Sequence, residues 1–99
     1  MAKSIIQKDK THCFLCGRNG NGDPLEKHHC IYGTSNRKHS DDDGLVVWLC
    51  GNRCHRNGEY AVHNNRKTSE NLKQIAQLAW EANYGTREQF IQRYGKSWI

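Results

Sequence analysis

The cysteines, five among 99 residues, are the first group of candidate metal ligands in this sequence. Four of them form two close pairs, Cys13 with Cys16 and Cys50 with Cys54. Two such pairs, brought together by a fold, commonly hold a tetrahedral zinc ion. The wider spacing of the second pair leaves His12 or His55 open as a replacement for Cys54. The fifth cysteine, Cys30, is most simply a small apolar strand residue. We therefore predict a structural zinc site.

Histidines form the second group of candidate ligands. His28 and His29 lie side by side in a run that reads as a strand, His55 directly follows Cys54, and His63 lies eight residues later. On a continuous helix the rings of His55 and His63 would lie about 80° apart, but Gly58 allows the segment to bend. In either case three of the rings can converge where a hairpin meets a helix. Imidazole and carboxylate ligands suit zinc, manganese, nickel and related ions. Adjacent histidines also occur by coincidence on a surface strand.

Two strands and a polar connection must position the histidine doublet. Residues 25–32 read as one strand, and residues 45–50 as a second, strongly apolar one. The connection 33–44 is polar and reads as a loop that begins basic and ends acidic. Residues 1–11 are polar and lysine-rich, which predicts a flexible basic arm. Residues 51–68 mix short helix-forming pieces with candidate ligands.

Two helices are predicted in the C-terminal third. Between about 69 and 84, apolar residues recur at the spacing of a half-buried helix, namely Leu72, Ile75, Ala76, Ala79 and Trp80. Gly85 is suited to end this helix. Thr86 and Gln89 fit a capping box for a second helix over about 87–94. No repeat or second domain is evident, so residues 12–99 are predicted to form a single domain.

Composition narrows the classes of protein further. Only 35% of the residues are hydrophobic and the mean hydropathy is −0.95, so the core is small and bound metal is expected to supply stability. No stretch approaches the roughly 20 apolar residues of a membrane span, and the start of the chain lacks the apolar run of a signal peptide. We expect a cytoplasmic protein with no membrane partner, in which paired cysteines bind metal rather than form disulfides. A net charge of +5 suits a polyanionic partner such as nucleic acid.

An ordered set of motifs covers roughly residues 12–99: "HHCIYGTSNRKHS", "GLVVWLC", "CHRNGEYAVHNN" and "REQFIQRYGKSWI". This set resembles the HNH, or ββα-metal (His-Me finger), endonucleases, and most closely the small phage and prophage nucleases of the recombination-enhancement type. The resemblance implies an α+β fold, with a zinc-stapled ββα-metal core over about 25–67 followed by the C-terminal helices. It also implies a phage-infected or lysogenic bacterial host and a DNA substrate, double- or single-stranded. A phage or recombination protein is a further candidate partner.

The same resemblance implies a role for each matching histidine. His29 corresponds to the general base, and His28 before it to a metal ligand. His55 and His63 would complete the site of a catalytic divalent ion, which could be Mg²⁺, Mn²⁺, Ni²⁺ or Zn²⁺. By the family's mechanism, His29 activates water for hydrolysis of a phosphodiester bond, and the products carry a 5′-phosphate and a 3′-hydroxyl. One metal suffices because the base comes from the protein.

The residue that orients the base departs from the family pattern. Members of the family carry an Asn just before the second strand, where this chain reads Asp43-Gly44-Leu45. We predict that Asn36, with Asp43 as the second choice, orients His29. Three basic residues near the site in sequence are candidates for contacts with neighbouring phosphates: Arg37, Lys38 and Arg56.

Two other classes of function fit the same residues. A zinc-stapled module could bind nucleic acid without catalysing its cleavage, and the missing motif Asn favours this alternative. A protein whose basic surface docks an acidic protein partner is the other. Cleavage that depends on His29 separates the nuclease from both.

Overall fold

Two short antiparallel strands form the frame of this small mixed fold. The computed structural model describes residues 4–33 and 35–99, so residues 1–3 of the predicted arm and position 34 of the predicted loop lie outside it. Strand β1 spans Leu25–His29 and strand β2 spans Val46–Cys50, each shorter than predicted. Leu25 pairs with Cys50 and His29 with Val46, so the histidine doublet and Cys50 lie at opposite ends of the hairpin.

The connection between the strands is a helix, although the sequence predicts a loop. Helix α1 spans Asn36–Asp43, and Gly44 ends it in the left-handed conformation, with a φ of 77°. Its sequence has no apolar stripe, and Ser35 makes no side-chain cap. Long-range contacts hold the helix instead: buried Ser40 donates to the carbonyl of Ile31, and Asn36 to the carbonyl of Tyr94. The prediction was wrong because tertiary contacts outweigh weak local propensity.

The two C-terminal helices agree closely with the prediction. Helix α2 spans Arg66–Asn83 and begins three residues earlier than expected, because the Asn65 side chain caps it by accepting from the amide of Thr68. Helix α3 spans Arg87–Tyr94 and begins with the predicted capping box between Thr86 and Gln89. Within the described ranges, no helix is both long and apolar enough to cross a membrane.

The hydrophobic core joins the sheet to these two helices. Its buried members include Val47 and Leu49 from β2, Leu72 and Trp80 from α2, and Phe90 from α3. The apolar stripe of α2 is narrower than predicted, because Ile75 is 39% exposed. A core of this size is consistent with the need for additional stabilisation that the composition indicates.

The described part of the N-terminal segment does not behave as the predicted flexible arm. Residues 4–7 are half-buried, and Ile5 and Ile6 pack against the core. The side chain of Gln7 accepts from the amide of Trp48 at 2.8 Å, and the amide of Phe14 donates to the Trp48 carbonyl at the same distance. The segment therefore covers the outer edge of β2, which would otherwise be unpaired. The two isoleucines were the sequence signal for this packing.

Candidate metal centres

The structure brings together the four paired cysteines. The sulfur atoms of Cys13, Cys16, Cys50 and Cys54 all lie within 4.8 Å of one another, and those of Cys16 and Cys50 are 3.5 Å apart. Tetrahedral zinc with Zn–S bonds of about 2.3 Å would place its sulfur ligands about 3.8 Å apart. All five cysteines are free thiols. The cluster, which we call the cysteine site, is therefore compatible with zinc.

The alternatives for the fourth ligand are resolved by geometry. Cys54 lies in the cysteine site, whereas His12 pairs with the carboxylate of Asp9 and His55 lies in a separate histidine cluster. Cys30 is 1% exposed and packs in the core, away from the four. Cys30 therefore acts as the apolar residue that the sequence indicates.

Electrostatics at the cysteine site favour a cation. Burial and the neighbouring thiols raise the pKa of Cys50 to about 12 and also raise the pKa of Cys54. Burial acts the same way on Cys16, but hydrogen bonds from the backbone and side chain of Arg18 outweigh it and lower its pKa to about 6. Cys50 and Cys54 therefore resist ionisation unless a cation compensates the charge, which is what bound zinc would do.

The second cluster, the histidine site, consists of His28, His55 and His63. One nitrogen from each ring lies within 4.8 Å of the others, and the Nε2 atoms of His55 and His63 are 3.2 Å apart. A tetrahedral ion with metal–nitrogen bonds of about 2.0–2.1 Å would separate its ligand nitrogens by a similar distance, about 3.3 Å. The three ring centroids are 4.7–5.2 Å apart.

A compact turn after β2 places His55 and His63 beside each other. Residues Gly51–Arg56 form a π-helical turn, whose first amides, those of Asn52 and Arg53, donate to the Asp23 carboxylate. At Gly58 the chain passes so close to Arg53 that a Cβ atom would lie 1.9 Å from its carbonyl oxygen. The returning chain then donates from the amide of His63 to the carbonyl of His55 at 3.0 Å. The two histidines are thus joined through their backbones.

The environment of His28 is unusual for a core residue. The residue is 2% exposed, and its Nε2 atom has no hydrogen-bond partner among residues 4–33 and 35–99. Burial and the other histidines lower the pKa of His28 to about 3, so the ring is neutral at physiological pH. An unpaired buried nitrogen costs about 1–3 kcal/mol in an ordinary core. A neutral imidazole whose free nitrogen lies beside two others is suited to bind a divalent ion.

Glu26 completes the arrangement around His55. Its carboxylate accepts from Nδ1 of His55 at 2.8 Å and from Arg56 at 2.9 Å. The hydrogen bond with His55 is the main cause of the lowered pKa of Glu26. Because Nδ1 carries the proton, the Nε2 lone pair of His55 is directed toward the cluster, as in many carboxylate–histidine–metal arrangements. Glu26 was not among the predicted site residues, although its position two residues before His28 on a strand places it on the same face.

His29 faces the other side of β1. Strand alternation places it with Lys27, and both side chains contact Asp41 of α1, His29 through Nε2 at 3.4 Å. Burial lowers the pKa of His29, and Asp41 opposes this effect. Because His29 is the last residue of β1, its ring still lines the same cleft as the histidine site, a space of about 270 Å³.

The predicted orienting residues do not contact His29. The side-chain amide of Asn36 donates from Nδ2 to the backbone carbonyl of Tyr94 at 3.0 Å. The carboxylate of Asp43 accepts from Trp80, Arg93 and Tyr94 at 2.6–2.9 Å. Both side chains instead anchor α1 to the C-terminal helices. The prediction was wrong because it treated 33–44 as a loop: in a helix that ends at Asp43, Asp41 is the carboxylate that faces β1.

Only one of the three predicted phosphate contacts lines the cleft. Arg37 contributes to its wall. Lys38 pairs with Asp42 at 2.9 Å on the exposed face of α1, and Arg56 pairs with Glu26 at 2.9 Å. The sequence could not show which of these residues lines the cleft, because Arg37 and Lys38 point in different directions only once the segment is known to be a helix.

Comparison with known proteins identified no relative of this chain. No family model matches the chain, and searches of curated proteins and of solved structures give no significant match. The two clusters of candidate metal-binding side chains are therefore the main indication of function.

Proposed function

We propose that this protein is a metal-dependent endonuclease of the ββα-metal type, which hydrolyses phosphodiester bonds in DNA. The main support for the proposal is the histidine site, where the buried His28 ring lies beside the rings of His55 and His63, and its Nε2 has no partner in the part of the chain that the structure describes. The net charge of +5 and the resemblance of the motifs to HNH nucleases also support it.

In this proposal the two histidines of the doublet have different tasks. His28 faces the other imidazoles, and with them it would hold the divalent ion. His29 lines the same cleft, where its ring would take a proton from the attacking water. Asp41, which also pairs with Lys27, would restrict the orientation of the His29 ring. The alternation of side chains along β1 thus separates binding of metal from activation of water.

The reaction needs charge stabilisation as well as a base. When bound to His28, His55 and His63, a divalent ion supplies positive charge to the scissile phosphate and to the departing 3′ oxygen. Water would add to phosphorus and its proton would pass to His29 as the bond from phosphorus to the 3′ oxygen breaks. The departing 3′ oxygen would take a proton from solvent water, and His29 would return its own proton to solvent. Arg37 is free of ion pairs among the described residues and would contact a phosphate at the mouth of the cleft. The products are a 5′-phosphate and a 3′-hydroxyl.

The cysteine site has a structural task in this scheme. Zinc there would join the segment with Cys13 and Cys16 to the end of β2, through Cys50, and to the turn that carries His55, through Cys54. It would supply stability that the small core lacks.

Nicking of supercoiled plasmid tests the proposal across Mg²⁺, Mn²⁺, Ni²⁺ and Zn²⁺. His29→Ala is expected to lower the rate by about 10²–10⁴-fold, the usual contribution of a general base. His39→Ala is a matched control, because His39 packs on Tyr94, outside the cleft. Equal nicking by repurified His29→Ala and wild-type protein would refute the assignment. Salt-dependent DNA binding without nicking under any of the four metals would favour the non-catalytic module instead.

A further inference from the structure

A second groove continues from the cleft of the histidine site. It encloses about 530 Å³, and Tyr32 and His63 line both spaces. Beyond these shared residues, the walls come from the turn before α2, from the N-terminal half of α2 and from the segment after α3. We call this space the lysine groove, after Lys73 and Lys96 in its walls.

The lysine groove carries unpaired positive charge. Its single acidic residue, Glu70, is engaged by Arg66 at 2.9 Å. Lys73 and Lys96 form no ion pair with any residue in the ranges 4–33 and 35–99. Two cations without a carboxylate therefore lie in a concave surface that opens directly onto the proposed metal site. A surface of this kind favours a polyanion.

Aromatic rings position both ammonium groups. Lys73 Nζ lies 4.6 Å from the ring centre of Tyr32 and 5.4 Å from that of Trp98, and Lys96 Nζ lies 5.4 Å from the Trp98 ring. Such cation–π contacts hold a charge in place without neutralising it. The Trp98 backbone is fixed in turn, since its amide donates to Gln77 at 2.8 Å and its carbonyl accepts from Gln74 at 2.9 Å. The groove is thus formed before any ligand arrives.

We propose that the lysine groove binds the backbone of the substrate strand on one side of the scissile phosphate. Lys73 and Lys96 contact the phosphates that lead away from the cleft past Tyr32 and His63. The inference rests on the proposed function, because that function places the scissile phosphate at the histidine site. It adds a property that the site itself does not imply: the requirement for flanking phosphates is asymmetric, since the groove leaves the cleft on the side of Tyr32 and His63.

Binding measured in the uncleaving His29→Ala background tests the groove separately from catalysis. The probe is a short single-stranded DNA oligonucleotide, titrated over a series of salt concentrations. Lys73→Gln with Lys96→Gln is expected to reduce the slope of log K against log salt by about 1.4, because each phosphate contact on a single strand contributes about 0.7. The matched control is Lys8→Gln with Lys67→Gln, which removes the same charge from exposed lysines that line neither space. Lys73→Arg with Lys96→Arg is expected to retain the slope.

Oligonucleotides with uncharged methylphosphonate linkages locate the contacts. Neutral linkages on one side of the cut site are expected to weaken binding by the protein with Lys73 and Lys96, and to have little further effect on the double glutamine variant. Neutral linkages on the other side should weaken both proteins equally.

The possible outcomes test the phosphate-binding role of the lysine groove separately from the nuclease activity. An unchanged slope in the double variant, or an equal response to neutral linkages on either side, would overturn the inference even if the wild-type protein nicks plasmid. A reduced slope without any nicking would support the groove and refute the nuclease. Equal competition by an acidic polypeptide would also overturn the inference, since the groove would then recognise charge on proteins as readily as on a nucleic-acid strand.

Discussion

Replacement of His28 by leucine should change stability in opposite directions with and without a second metal. Without that metal, the Nε2 atom of His28 is buried and has no partner among the described residues, which costs about 1–3 kcal/mol. Leucine has a similar size and no polar atom, so His28→Leu should recover much of this free energy. For a domain of about 100 residues, each kcal/mol raises the melting temperature by about 4–8 °C.

With the second metal, the sign reverses. An ion that binds only the folded protein stabilises it by about 2.7 kcal/mol when its free concentration is 100 times its dissociation constant. His28→Leu loses one of three ligands at the histidine site, and with it most of this gain. The stability of the wild-type protein should therefore rise on addition of the ion, while that of the variant changes little.

Thermal unfolding of protein loaded with one equivalent of zinc, with and without added Ni²⁺, measures both effects. Imidazole suits nickel, and four thiolates retain zinc. His39→Leu is the control, because His39 lies outside the histidine site and its loss should leave the response to nickel unchanged. The reasoning is refuted if His28→Leu lowers the melting temperature without nickel and both proteins respond to nickel equally. His28 would then be an ordinary core residue.

Three further predictions follow from the other contacts. Cys54→Ser should release zinc and abolish the cooperative melt, whereas Cys30→Ala should retain the zinc content, as measured by a metal assay; an unchanged melt in Cys54→Ser would argue against a stabilising zinc. Burial alone would raise the pKa of Asp43, but hydrogen bonds, foremost from Arg93, hold it below its ordinary value of 3.8. The stabilisation by Asp43 is thus complete above that value and lost as pH falls through the lower folded-state pKa, so denaturant unfolding of Asp43→Asn should show a weaker acid dependence than wild type. Asp41→Ala should lower kcat by up to about 10²-fold at constant KM, and should have little further effect in a His29→Ala background; full additivity would contradict a positioning role.

Much of the candidate site could be predicted from residue types and local order. Cysteine pairs and the order of the histidines are sequence patterns, and the structure brings the corresponding side chains together. The capping box of α3 is equally local, since Thr86 and Gln89 satisfy each other's backbone within one turn. These features depend on neighbours in sequence or on ligand chemistry, both of which are visible in one chain.

The features that the sequence did not reveal depend on distant contacts. Helix α1 has weak propensity and forms because Ser40 and Asp43 find partners on other segments. The partner of His29 could not be identified until this helix was known, since only the helix places Asp41 against β1. Glu26 shows a different limit: its face of β1 was predictable, but its contact with His55 requires the turn between Gly51 and Gly58 to be folded.

The two ligand clusters are coupled through adjacent residues. Cys54 belongs to the cysteine site and His55 to the histidine site, and both lie on the same six-residue turn. The returning chain is bound to both residues, because the amide of Val62 donates to the carbonyl of Cys54 and the amide of His63 donates to the carbonyl of His55. A displacement of Cys54 would therefore move two of the three histidines, while His28 would stay on the sheet. We therefore predict a dependence in one direction: loss of zinc from the cysteine site should disrupt the histidine site, whereas loss of a histidine should leave the cysteine site intact. Zinc bound by the four cysteines would then have two effects in a domain with a small core: it would stabilise the fold, and it would fix the turn that carries His55.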